Sequence, residues 1–131
     1  MYTKEIVIDA SCILEFLLNQ ESKDFVTQKV GSLNLIAPQC LPYEVGNAVS
    51  KLMKRKLITI FEGTAVYHEF VRIPFRFVEP DIPEALMIAG NTNSYAYDAY
   101  YISVAKRLGL PLFTLDENMK SNAQLQGVTC L

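Results

Sequence analysis

Two short apolar runs in this chain each end on an aspartate. Ile6-Val7-Ile8 leads into Asp9, and Pro111-Leu112-Phe113-Thr114-Leu115 leads into Asp116. Short β-branched or aromatic runs bounded by turn residues predict buried strands. Between them the apolar spacing changes to that of helices. Residues 11–20 predict a helix with Ser11 as its cap and Ile13, Leu14, Leu17 and Leu18 on one face. Residues 21–30 predict a second helix stopped by Gly31, and 33–38 a strand ended by Pro38. Residues 41–58 predict a long helix with Pro42 in its first turn and an inward stripe of Val45, Ala48, Val49, Leu52 and Met53. Helices are also expected over 61–72, with Gly63 as a weak point, over 82–91, and over 95–109, closed by Gly109. Residues 75–80 fit a strand or an extended connection, and 127–131 a last strand.

Strands alternating with helices predict an α/β fold: three layers, α/β/α, around a mainly parallel central sheet. Functional side chains in such sheets gather beyond the carboxyl ends of the strands. Asp9 and Asp116 therefore belong at one edge, provided their strands are parallel and adjacent. The 131 residues suit one domain over 1–131, large enough for a core without staples. A net charge of −2 argues neither for nor against a nucleic-acid partner, because a local patch matters more than the total.

Cys12, Cys40 and Cys130 lie in apolar surroundings without metal-ligand spacing. An odd number of cysteines and no signal peptide favour reduced thiols in a cytoplasm. No apolar run approaches the ~20 residues that cross a bilayer, so no membrane partner is expected.

Glu44 and Asp98 open helices whose buried faces are otherwise apolar. Acidic residues in a first turn complement the helix dipole, and an aspartate after a strand is an ordinary cap. Convergence of all four carboxylates is less ordinary. Two like charges ~4 Å apart repel by about 4 kcal/mol at an effective dielectric of 20. A hard divalent cation would offset that repulsion, and carboxylates with water suit Mg²⁺ or Mn²⁺. The single His68 offers no zinc set. Such an ion commonly serves phosphate chemistry. With neither a P-loop nor a dinucleotide fingerprint, a phosphodiester is a better substrate than a nucleoside triphosphate.

The ordered segments "IVIDAS", "LPYEVGNAV" and "YDAYYISVAKRLGLPLFTLDENM" resemble the PIN-domain family, and within it the VapC-type ribonuclease toxins of toxin–antitoxin pairs. The resemblance runs from Ile6 to about Met119. It places the family's acidic positions on Asp9, Glu44, Asp98 and Asp116. It implies a PIN-like fold and an endoribonuclease using Mg²⁺, with Mn²⁺ as a possible substitute. Asp9, Asp98 and Asp116 would be the metal ligands, and Glu44 a ligand or a base for water. Ser11 and Thr114 would hydrogen-bond the carboxylates or the scissile phosphate, and Asn47 would orient a carboxylate. An RNA substrate, an antitoxin covering the site and a homodimer are also implied.

Two further features stand beside this reading. Lys51, Lys54 and Arg55 crowd one helix end, where cations either balance the dipole or contact RNA phosphates. Tyr97 and Tyr101, four apart, are expected to pack together in the core or a dimer interface. Competing functions are a PIN-like module that binds RNA or protein without cleaving, and a phospho-aspartate receiver domain. Receivers place paired acids after the first strand, whereas Asp9 is followed by Ala10 and Ser11.

Overall fold

The computed structural model describes residues 4–131. The elements run β1 (Glu5–Ile8), α1 (Ala10–Leu18), α2 (Gln20–Val30), β2 (Asn34–Pro38), α3 (Leu41–Lys54), α4 (Ile60–Phe70), β3 (Phe75–Val78), α5 (Ile82–Asn91), α6 (Ala96–Leu108), β4 (Leu112–Phe113) and α7 (Glu117–Leu125). The four strands form one parallel sheet in the order β3-β2-β1-β4. The helices flank it as a three-layer α/β/α arrangement.

β1 holds the centre because Ile6, Val7 and Ile8 are completely buried. Each such side chain contributes about 1.5–3 kcal/mol of transfer free energy. Val7 pairs with Ile36 of β2 on one side and with Leu112 of β4 on the other. The chain leaves β1 toward β2 and later returns on the opposite side to form β4. This reversal opens a crevice at the carboxyl ends of β1 and β4.

Local chemistry explains most boundaries. Gly109 closes α6 in the left-handed conformation (φ 66°), which costs glycine nothing. Thr59 and Glu62 form a reciprocal capping box at the start of α4. β3 is an edge strand anchored by an aromatic series, Tyr67–Phe70–Phe75–Phe77, with ring centroids 5.5–5.6 Å apart.

Four local expectations need correction, and one helix was not expected. Asp9, not Ser11, caps α1: its side chain accepts from the Cys12 N–H, and Ser11 lies inside the helix. The long helix stops at Lys54, and Lys56 takes a positive φ of 59° to turn the chain. Gly63 is no weak point. It is buried where α4 crosses α3, and an added Cβ would meet the Met53 sulfur at 2.7 Å. The expected last strand reduces to one bridge between Leu112 and Cys130. Helix α7 had no forecast, because its nine residues are mostly polar and its stripe is short.

Candidate active site

Asp9 is the most constrained of the four carboxylates. It leaves the end of β1 with only 2% of its surface exposed. Its Oδ1 accepts from the Ser11 hydroxyl at 2.7 Å and from the Cys12 N–H at 3.2 Å. Its Oδ2 accepts from the Thr114 hydroxyl at 2.7 Å. Burial pushes the Asp9 carboxyl above its usual range, and these hydroxyl bonds pull it partly back. Thr114 lies just past β4, so its hydroxyl ties the ends of the two strands together. It also accepts from the Asp116 N–H at 3.0 Å. Ser11 completes the lattice by accepting from the Leu115 N–H at 3.1 Å.

Asp116 caps α7. Its Oδ1 accepts from the N–H groups of Asn118 and Met119, at 2.9 and 3.2 Å. Its Oδ2 takes no partner among the described residues. Asp98 sits in the first turn of α6, half-buried. Burial raises its carboxyl most, and the charges of Asp116 and then Asp9 raise it further. Neither of its oxygens accepts a hydrogen bond among the described residues.

Glu44 enters from the first turn of α3. Its Oε1 accepts from the buried Tyr101 phenol at 2.9 Å and from the Cys40 thiol at 3.2 Å. Burial again raises this carboxyl most. The two donors hold it down, and the charges of Asp9 and Asp98 push it up. The thiol of Cys40 is itself pushed up to about 12, first by burial and then by Glu44, so it stays protonated and donates.

Mutual repulsion thus links Glu44 to Asp9 and Asp98, and Asp98 to Asp116 and Asp9. The two ion pairs among the described residues, Lys23–Glu69 and Arg76–Glu5, involve none of the four. Burying like charges without a cation costs free energy. The donors suit a hard divalent cation, because every oxygen involved is a carboxylate and each residue keeps acceptor capacity. Among the described residues no three His, Cys, Asp or Glu side chains are placed together to hold a metal ion by themselves. An ion bound here would have to take most of its ligands from water, as Mg²⁺ can.

Asn47 is exposed on α3, one turn beyond Glu44 and on the same face. Its side chain makes no hydrogen bond to a carboxylate among the described residues. Lys51 is exposed one turn further along that stripe, whereas Lys54 and Arg55 lie at and just past the helix end. Tyr97 and Tyr101 separate: Tyr101 is 1% exposed and Tyr97 58%. Helix α6 points Tyr101 inward to Glu44 and leaves Tyr97 outside, edge-on to Tyr100. Sequence reasoning missed Tyr101 and Cys40 as partners of Glu44. The i to i+4 spacing of Cys40 and Glu44 could have suggested that pair, but nothing local marks Tyr101.

The PIN domain family model matches residues 6–125. Ribonuclease VapC12 of Mycobacterium tuberculosis is 31% identical over 113 residues, covering 85% of this chain and 86% of that protein. Two solved structures share the fold. PAE2754 from Pyrobaculum aerophilum has a TM-score of 0.71 at 23% identity, covering 98% of this chain and 92% of its own. FitAcB from Neisseria gonorrhoeae has a TM-score of 0.68 at 18% identity, covering 96% of each chain.

Proposed function

The chain belongs to the PIN-domain family, and from that premise we propose that it is a metal-dependent endoribonuclease, the toxin of a toxin–antitoxin pair. One observation carries the reading: buried Asp9, half-buried Glu44 and Asp98 and exposed Asp116 converge at the β1/β4 switch point, where neighbouring carboxylate charges raise Glu44 and Asp98, without any lysine or arginine partner among the described residues. The relative with ribonuclease activity in its name supports RNA as the substrate.

The reaction is hydrolysis of a phosphodiester, in which a water oxygen bonds to phosphorus as one ester P–O bond breaks. Asp9, Asp98 and Asp116 would hold Mg²⁺, or Mn²⁺ in its place, with Glu44 as a fourth ligand or as the base. When bound, the ion supplies charge neutralisation at the phosphate and acidifies water. The chain's own residues do the rest. Ser11 and Thr114 fix both Asp9 oxygens, so their orientation is set before substrate arrives. Cys40 and Tyr101 fix Oε1 of Glu44, leaving Oε2 to take a proton or a ligand. A carboxyl raised by burial is better matched to proton transfer near neutral pH than a free one. Lys51, with Lys54 and Arg55 beyond it, supplies positive charge for the RNA backbone.

An antitoxin protein that covers the cleft, a homodimer and a cytoplasmic setting belong to the same reading. Among the described residues no helix is long and apolar enough to cross a membrane. The test is purified chain, free of any partner, with structured RNAs, with and without Mg²⁺ or Mn²⁺, beside Asp98→Asn. Internal cleavage that needs metal and disappears in the variant is expected. Cleavage that persists in chelator, or that Asp98→Asn leaves untouched, sinks the mechanism.

A further inference from the structure

Beside Glu44 lies a pocket that the carboxylate cluster does not use. It has a volume of about 350 Å³ and is open to solvent between α1, α3 and the start of α6. Tyr43 and Tyr97 stand on it, 79% and 58% exposed. Leu14 and Ala48 give it an apolar floor. Along α3, Glu44, Asn47, Ala48 and Lys51 follow the spacing of a single helical face. That face runs from a carboxylate through an amide to a cation over roughly 10 Å of helix.

Each part has a chemistry that protein packing does not account for. Tyr43 and Tyr97 present most of their rings to solvent instead of to the core. Tyr97 is braced, because Tyr100 packs edge-on against it at 5.6 Å. Asn47 and Lys51 make neither side-chain hydrogen bonds nor ion pairs among the described residues, so an amide and an ammonium are free beside the aromatic rings. The volume lies within the ~300–1,000 Å³ range of small-molecule sites.

We propose that this pocket is a subsite for one unpaired nucleobase of the RNA, adjoining the phosphodiester to be cut. It rests on the nuclease reading, since Glu44 forms the border between pocket and carboxylate cluster. Tyr43 and Tyr97 supply faces on which a base stacks, a contact that every base can make. The Asn47 amide offers a donor and an acceptor to a base edge, which is how single-stranded RNA is read. Lys51 contacts the next phosphate as a point charge. The subsite selects unpaired nucleotides, because a paired base is held in its stack and cannot enter.

The experiment measures binding of fluorescein-labelled oligoribonucleotides to the Asp98→Asn chain, which keeps the pocket. Single strands with each base at successive positions are compared with a perfect RNA duplex. Tyr43→Ala and Tyr97→Ala are each expected to weaken single-strand binding about tenfold, at unchanged thermal midpoint. Tyr97→Phe, which keeps the ring, should retain affinity. Asn47→Ala should flatten base preference at one position, and Lys51→Ala should lower the salt slope by about one. In the cleaving chain the tyrosine changes should raise KM more than they lower kcat. Unchanged single-strand binding in both alanine variants, or equal loss on duplex, overturns the subsite while metal-dependent cleavage would still stand. A loss confined to capture of a partner protein also overturns it. Tight, tyrosine-dependent single-strand binding by a chain that never cleaves would instead keep the subsite and end the nuclease reading.

Discussion

Thr114→Val is the sharpest probe of the link between the two strand ends. Valine keeps the shape of threonine and removes one oxygen. That oxygen donates to Asp9 Oδ2 at 2.7 Å and accepts from the Asp116 N–H at 3.0 Å, in a residue 3% exposed. A hydrogen bond to a charged group contributes about 1.5–3 kcal/mol. The Asp116 N–H is nearer solvent, where water replaces the lost acceptor, and adds at most about 1 kcal/mol. The variant should therefore be ~1.5–4 kcal/mol less stable at neutral pH, a large share of the ~5–15 kcal/mol of a typical domain.

The pH dependence has a definite sign. Burial holds the folded Asp9 carboxyl above its unfolded value, so the folded state binds the proton more tightly and stability rises as pH falls through that window. Losing the Thr114 donor raises the folded value further. The variant gains more on acidification, and its deficit shrinks as pH falls through the raised folded values, above the ordinary carboxylate range, to the ~0.5–1.5 kcal/mol of a neutral hydrogen bond. Urea unfolding in chelator across neutral to mildly acidic pH measures this without metal linkage. A neutral-pH deficit below about 0.5 kcal/mol, the size of an ordinary surface change, refutes the reasoning. So does a deficit that grows in acid.

Tyr101→Phe removes the phenol from Glu44 Oε1 and keeps the buried ring. It should cost about 1–2 kcal/mol and raise the Glu44 carboxyl further, moving the acid limb of the cleavage pH profile upward; an unmoved limb counts against Glu44 acting in its ionised form. Asp98→Asn relieves repulsion from Asp116 and Asp9. After allowance for solvent screening it should stabilise the chelated chain by no more than about 1 kcal/mol, an advantage that declines with added salt; a destabilised variant contradicts the repulsion. Gly109→Ala puts a Cβ on a left-handed cap and should lower stability by ~1 kcal/mol without affecting RNA cleavage, as thermal melting and the nuclease assay would show.

Much of the architecture was legible because its causes are local. β1 announces itself through three consecutive β-branched residues. Gly31 and Gly109 end their helices because glycine accepts a positive φ without cost. Alternation of strands with helices leaves a parallel sheet as the economical solution. Where local signals compete, distant contacts decide between them. Ser11 and Asp9 are both capping types, but the Asp9 side chain accepts from the Cys12 N–H, and the Ser11 hydroxyl is turned to Asp9 and to the Leu115 N–H, 104 residues away. The polar α7 shows little stripe, so its periodicity does not mark it as a helix.

By itself, then, the sequence determined which elements form and which residue types close them. It also placed an acid at the end of β1, past β4 and in the first turns of α3 and α6. Only the tertiary structure decided what those acids touch. Thr114 reaches Asp9 across 105 positions, and Tyr101 reaches Glu44 across 57. Such bonds follow from strand order and from the rotation of α6 about its axis. The same rotation buries Tyr101 and exposes Tyr97, four residues earlier. Periodicity marks a face as apolar, but the neighbours that meet it are set by packing of the whole chain.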